Sequence, residues 1–201
     1  RRSQKRPQKE IIFIFTEGET EYNYFDQIKK ELVRNHMRVS VELSRTKEKT
    51  AIGFIRYARE VLNHKLISPD KNDRIFCVFD MDTAIDEDIN RAMKIMPRYM
   101  RLIVSNPDFE LWFLLHYEYR KVALGNRESI ERLREYEPDY RKPEVNMIYR
   151  SLKEKKETAL ENARLLRRYQ SEEGHDLYST AANPCTNVDE AVAYIYDHCR
   201  S

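Results

Sequence analysis

Apolar positions fall into two rhythms along this chain. Two short runs, IIFIF at 11–15 and IFCVF at 75–79, are apolar throughout rather than alternating. Such runs predict strands of a parallel sheet covered on both faces. Residues 39–43 do alternate and predict a strand suited to a sheet edge, and 101–105 predict a further one. Between the strands the apolar positions take helical spacing. Tyr24, Phe25, Ile28 and Leu32 predict a helix from about 20 to 34, with Thr20 as its cap. Ile52, Ile55, Ala58 and Leu62 predict another over 51–64, and an acidic start at Asp86, Glu87 and Asp88 a third running towards Met96. Asn106-Pro107 predicts a helix continuing to about 118, because proline in the first helical position loses no needed hydrogen bond. The alternation predicts an α/β fold, Rossmann-like, with a mostly parallel, right-handed central sheet flanked by helices.

After residue 118 the pattern changes. Residues 119–145 are polar and interrupted by Gly125, Pro138 and Pro143. One long charged helix is predicted over 146–170, a loop over 174–184 and a closing helix over 188–199. The expected organisation is a flexible basic arm at 1–10, an α/β domain at 11–118, and a helical extension at 119–201 packing on the same domain.

Composition narrows the function classes. With 201 residues, 35% charged, 41% hydrophobic and only four glycines, the chain reads as helix-rich and globular. A net charge of +2 does not announce a nucleic-acid binder, but its distribution is uneven. The first ten residues hold Arg1, Arg2, Lys5, Arg6 and Lys9 against Glu10 alone. Three widely spaced cysteines with no CxxC pair exclude a disulfide scaffold or zinc knuckle and fit a reducing cytoplasm. No apolar run reaches the length of a membrane span or a signal peptide. A cytoplasmic protein without a membrane partner is expected. No GxxxxGK[ST] or GxSxG is present, which disfavours P-loop ATP binding and serine hydrolysis.

The chemistry gathers behind the two apolar runs. Glu17, Glu19 and Glu21 follow the first, and Asp80 and Asp82 follow the second. In open parallel sheets ligands bind beyond the carboxyl ends of the strands, so both clusters are expected in one crevice. Grouped carboxylates repel and must shed water, which a divalent cation offsets. Asp80 and Asp82, two apart, would share one side of a continuing strand, and Glu17 would complete a three-carboxylate site. Glu21, four residues beyond Glu17, would add a second. Acids at strand exits also serve solubility and pair with helix N-termini. For a lone DxD that plainer reading is preferred, whereas EGxTE together with DxD favours metal. Ser105 and Asn106, at another strand exit, are candidates to orient water or phosphate, and Glu110 is a candidate ligand or base. His116 reads as structural. Arg45, Lys47 and Lys49, with the basic arm, are candidate phosphate contacts.

EGETEYNYF (17–25), FDMD (79–82) and SNPDFELWFLLHY (105–117) resemble the RloB family of the Toprim-like nuclease group, related to OLD-family nucleases. NPCTNV (183–188) resembles a segment near the end of RloB proteins. The resemblance runs from about 11 to 200, weakest over 119–180. It implies a Toprim/Rossmann-like sheet in which Glu17 matches the Toprim glutamate, Asp80 and Asp82 the DxD, and Glu21 the second glutamate of EGxxE. Thr83-Ala84 departs from the acid or glycine that often follows DxD in the wider group. The implied activity is an Mg²⁺- or Mn²⁺-dependent endonuclease with Glu17, Glu21, Asp80 and Asp82 as its acids, to which Glu110 is added from its own place one turn into the helix. Its substrate would be DNA or RNA, tRNA included. The resemblance also implies prokaryotic anti-phage defence and an ABC/AAA-type ATPase partner, and a homo-oligomer is compatible with it. The alternative is a catalytically inactive Toprim-like scaffold subunit of a defence complex.

Overall fold

A computed structural model of the chain describes residues 10–33, 39–69 and 74–199. The basic arm expected at 1–10 therefore lies outside the described residues, except for Glu10. The fold is organised by five strands: β1 (Glu10–Thr16), β2 (Val39–Arg45), β3 (Arg74–Asp80), β4 (Met100–Asn106) and β5 (Cys185–Thr186). They form one sheet in the order β2-β1-β3-β4-β5. The first four are mutually parallel, and β5 joins β4 antiparallel. The expected α/β class with a mostly parallel sheet is what forms.

Side-chain alternation explains the unbroken apolar runs. Ile12, Ile14, Phe76, Val78 and Ile103 face one core, shared with α1 (Glu19–Val33), α4 (Glu110–Leu114), α7 (Lys156–Glu172) and α8 (Val188–Cys199). Phe13, Phe15, Ile75, Cys77, Phe79, Leu102 and Val104 face the other, shared with α2 (Ala51–His64) and α3 (Asp86–Ile95). Every residue of β1 or β3 that points into either core is removed from water, so no polar position is tolerated until the strand ends.

Several local expectations are corrected. Thr20 does not cap α1, because the helix begins one residue earlier and buries Thr20 in its first turn. The cap that forms is Thr50, whose hydroxyl accepts from the Gly53 amide at 3.1 Å to start α2. The helix expected from Pro107 to about 118 shrinks to α4, five residues starting at Glu110. Before it, Leu111 and Trp112 amides reach back three residues to the Asp108 and Phe109 carbonyls. These tight turns leave the Asp108 side chain free to meet Ser129. The long helix expected over 146–170 is two, α6 (Tyr149–Glu154) and α7, bent at Lys155 so that Leu152 and the Ala159–Ala163 stripe both reach the core. In the polar, interrupted stretch, where no helix was placed within the expected helical extension, α5 (Asn126–Tyr136) forms over buried Ser129 and Leu133. No helix among the described residues is long and apolar enough to cross a membrane.

Candidate active site

The strand order reverses direction between β1 and β3, since β1 leads outward to β2 while the chain returns past it to β3. Crevices for ligands open at that point, beyond the carboxyl ends of the strands. Pairing brings those ends level: Thr16 lies opposite Arg45 and Val78, and Asp80 opposite Ser105.

Four carboxylates are drawn into this crevice from three elements. From β1 the chain turns at Glu17-Gly18 into α1, and Glu21 folds its carboxylate back over the turn. A Cβ on Gly18 would sit 2.4 Å from Glu21 Oε2, so only glycine leaves the carboxylate this position. On β3, alternation sends Phe79 to the α2/α3 core and turns Asp80 towards α1 and α4. Asp80 Oδ1 is buried with no hydrogen-bond partner. After β4 come Asp108 and Glu110, both fully buried. The Ser129 hydroxyl lies between the two Asp108 oxygens, 2.8 and 2.9 Å away. The Tyr140 hydroxyl donates to Glu110 Oε1 at 2.8 Å, and Lys142 Nζ donates to Oε2 at 3.0 Å.

Burial and mutual repulsion show in the proton affinities. Burial first, then the Glu110 and Glu17 charges, push the Glu21 carboxyl up to about 7 against its own backbone amide and Lys142. Asp108 is likewise pushed up to about 7, by burial and then by Glu110. Asp80 is held well above the usual carboxylate range by burial, then by Glu21, Asp108 and Glu110. Lys142 acts on all three. Its burial works against its charge, but Glu110 outweighs this and raises its affinity for the proton.

A second, outer set of acids rims the crevice. Glu17 accepts from Lys49 at 2.7 Å, a bond that raises the lysine's proton affinity. Asp82 lies past the end of β3, exposed, and accepts from Asn126 Nδ2 at 2.7 Å. Glu19, left without a role by its sequence position, pairs with Arg45. Beside that pair an open depression of about 500 Å³ is lined by Tyr22, Leu43, Ser44 and Arg45. Lys47 is exposed on the loop after β2.

A family model described as RloB-like protein matches residues 12–195. The chain belongs to the RloB-like family. Comparison with curated proteins and with solved structures returned no match. The matched span takes in both sets of acids and the lysines that face them.

In this RloB-like chain the acids expected together are divided. Glu17, Asp80 and Asp82 were expected as one ligand set. Asp80 groups with Glu21, Asp108 and Glu110, Glu17 borders that group by acting on Glu21 while it pairs with Lys49, and Asp82 lies exposed on Asn126. The reason is that β3 stops at Asp80. Met81 then buries itself in the α2/α3 core, and Asp82 leaves along a turn instead of continuing the strand. Among the described residues no three His, Cys, Asp or Glu side chains stand close enough to cage a metal. The donor set nonetheless fits Mg²⁺ or Mn²⁺, which take few carboxylates and keep waters. A buried, unpartnered Asp80 oxygen beside a buried Glu21 is what such an ion would satisfy.

Ser105 and Asn106 stand at the β4 exit, where the Ser105 hydroxyl and the Asn106 amide nitrogen bond within the fold. Ser105 Oγ lies 2.9 Å from Thr186 Oγ1 on β5, and Asn106 Nδ2 donates to the Thr180 carbonyl at 3.1 Å. His116 is buried against Trp112, with Nδ1 2.9 Å from the Trp112 carbonyl. Burial lowers its proton affinity to about 4. Lys142 and Tyr140 were not anticipated. They sit in the polar stretch before Pro143, where no spacing links them to Glu110.

Proposed function

We propose that this RloB-like chain is a divalent-cation-dependent endonuclease of Toprim type that cleaves phosphodiester bonds in DNA or RNA. The reading extends to the nuclease half of an ATPase–nuclease pair in prokaryotic anti-phage defence, working in the cytoplasm. The observation that carries the chemistry is the buried, unpartnered Asp80 oxygen facing three further acids at the strand-order reversal. Asp80 and Glu21 would hold Mg²⁺ or Mn²⁺, with Glu17 at the mouth. When bound, the ion supplies Lewis-acid stabilisation of phosphate oxygens and a water that is easier to deprotonate. Asp108, raised to about 7 and not one of the two ligands, is the acid able to exchange a proton at neutral pH. Arg45, Lys47 and Lys49 at the rim supply the positive charge that a phosphate backbone needs on approach.

One observation favours a second reading, a scaffold subunit that does not cut. Lys49 and Lys142 already sit on Glu17 and Glu110, so part of the acid charge is offset without a metal. Incubation of plasmid, single-stranded DNA and tRNA with Mg²⁺ or Mn²⁺, with and without the ATPase partner, separates the two. The nuclease reading expects strand cuts that EDTA abolishes. Intact substrates under every condition, from a folded protein, would leave the scaffold.

A further inference from the structure

Lys142 reaches the inner acids from a segment that crosses over them, and its anchoring is extensive. Tyr140 is fully buried, and its carbonyl accepts from Arg134 Nε at 3.1 Å. Asn23 Nδ2 on α1 donates to the Pro143 carbonyl at 3.0 Å. The ammonium itself stays half-exposed, closing the crevice from the solvent side at 3.0 Å from Glu110 Oε2.

Two-metal phosphodiesterases hold their ions about 3.5–4 Å apart and need carboxylate oxygens for both. In the inner cluster most of those oxygens already accept a hydrogen bond, and one of the donors is a full positive charge. Both Glu110 oxygens are engaged, by Tyr140 and Lys142, and Ser129 lies between those of Asp108. What remains is Asp80, with its open oxygen, beside Glu21. An ion drawn to Glu110 would also meet an ammonium at hydrogen-bond distance from its ligand, and like charges a few ångströms apart in a partly buried site repel by several kcal/mol.

We propose that Lys142 is a built-in cation filling one of two charge positions, so that the site takes a single divalent ion on Asp80 and Glu21. This rests on the metal-dependent reading above and specifies how many ions that reading requires. The lysine anchors Glu110, and it presents its remaining N–H groups to the crevice mouth, where a phosphate would arrive.

Mn²⁺ counted by electron paramagnetic resonance on the full chain tests this without reference to cleavage. Wild type is expected to bind one Mn²⁺ per chain. Lys142→Gln should bind two, because the ammonium that repels a second ion at Glu110 is gone, and Lys142→Arg should bind one. Two ions in wild type, or one in a folded Lys142→Gln, would overturn the proposal while leaving metal binding intact. No ion in wild type would sink the metal-dependent reading itself. A measurement that needs no variant is the ¹⁵N signal of the Lys142 ammonium. It should keep its hydrogen-bonded shift when Mg²⁺ saturates the site, and its release by Mg²⁺ would count against the assignment.

Discussion

The inner acids Glu21, Asp80, Asp108 and Glu110 and the outer acids Glu17 and Asp82 carry the same functional group, yet the structure covers them to different degrees, from fully buried Glu110 to exposed Asp82. Three of the inner four bind protons more tightly than usual because they are dry and face one another. Of the rim acids, Asp82 is exposed and bonds Asn126, while Glu17 keeps only 12% of its side chain exposed and pairs with Lys49. Carboxylates at a strand exit are therefore not equivalent by virtue of their spacing. An unmet demand for positive charge belongs to those that the helices cover, and there a cation changes the energy most.

Neutralising one member of each set gives the largest expected contrast. Asp80→Asn should lower metal-dependent cleavage by about 100-fold or more. It should also raise the stability of the metal-free protein by about 1–2 kcal/mol, because a buried charge without a partner is removed. Asp82→Asn should leave stability within about 0.5 kcal/mol and cost only a few-fold in rate. Urea unfolding and plasmid cleavage measure both, and equal losses for the two variants would erase the distinction between the sets.

Next in size is Gly18→Ala. The new Cβ would overlap Glu21 Oε2, the free end of a flexible side chain. The fold should lose less than about 1 kcal/mol, while displacement of the carboxylate should weaken Mn²⁺ binding and cleavage by about 10-fold. Unchanged Mn²⁺ affinity would show that Glu21 does not need its position over the turn.

The smallest effect is in pH. Glu21 and Asp108 have folded affinities near 7, raised above their unfolded values. Their contribution is thus fully present below the unfolded range and is lost as pH rises through about 7. The metal-free protein should gain stability as pH falls from about 8 to 6.5. Below that, His116 works in the opposite direction, since its lowered affinity makes stability fall as pH drops towards 4. Mn²⁺ competes with those carboxyl protons, so it should raise the melting temperature more at about pH 8 than at about pH 6. Equal shifts measured by differential scanning fluorimetry would mean that the metal does not contact the dry set.

Much of the fold was legible because burial on both faces writes itself into sequence. β1, β3 and α2 follow directly from apolar runs and helical spacing. α5 was not, since NRESIERLREY buries little besides Ser129 and Leu133 and offers almost no apolar stripe to read. β5 was not, because two residues become a strand only by pairing with Ser105 and Asn106. The site divides in the same way. Acids at strand exits can be found from the chain, whereas Ser105 and Asn106 were expected to face a ligand and instead bond Thr186 and Thr180. Which polar atoms remain free depends on neighbours about eighty residues away.

The sequence by itself determined the α/β class, the family, and the presence of acids where two buried strands come to an end. These depend on local hydrophobic rhythm and on motifs, both of which are short-range. Only the tertiary structure decided which acids are dry, because desolvation depends on what packs over a residue rather than on its position in the chain. It also decided that Lys142, from a polar stretch with no readable pattern, would be the cation that faces them.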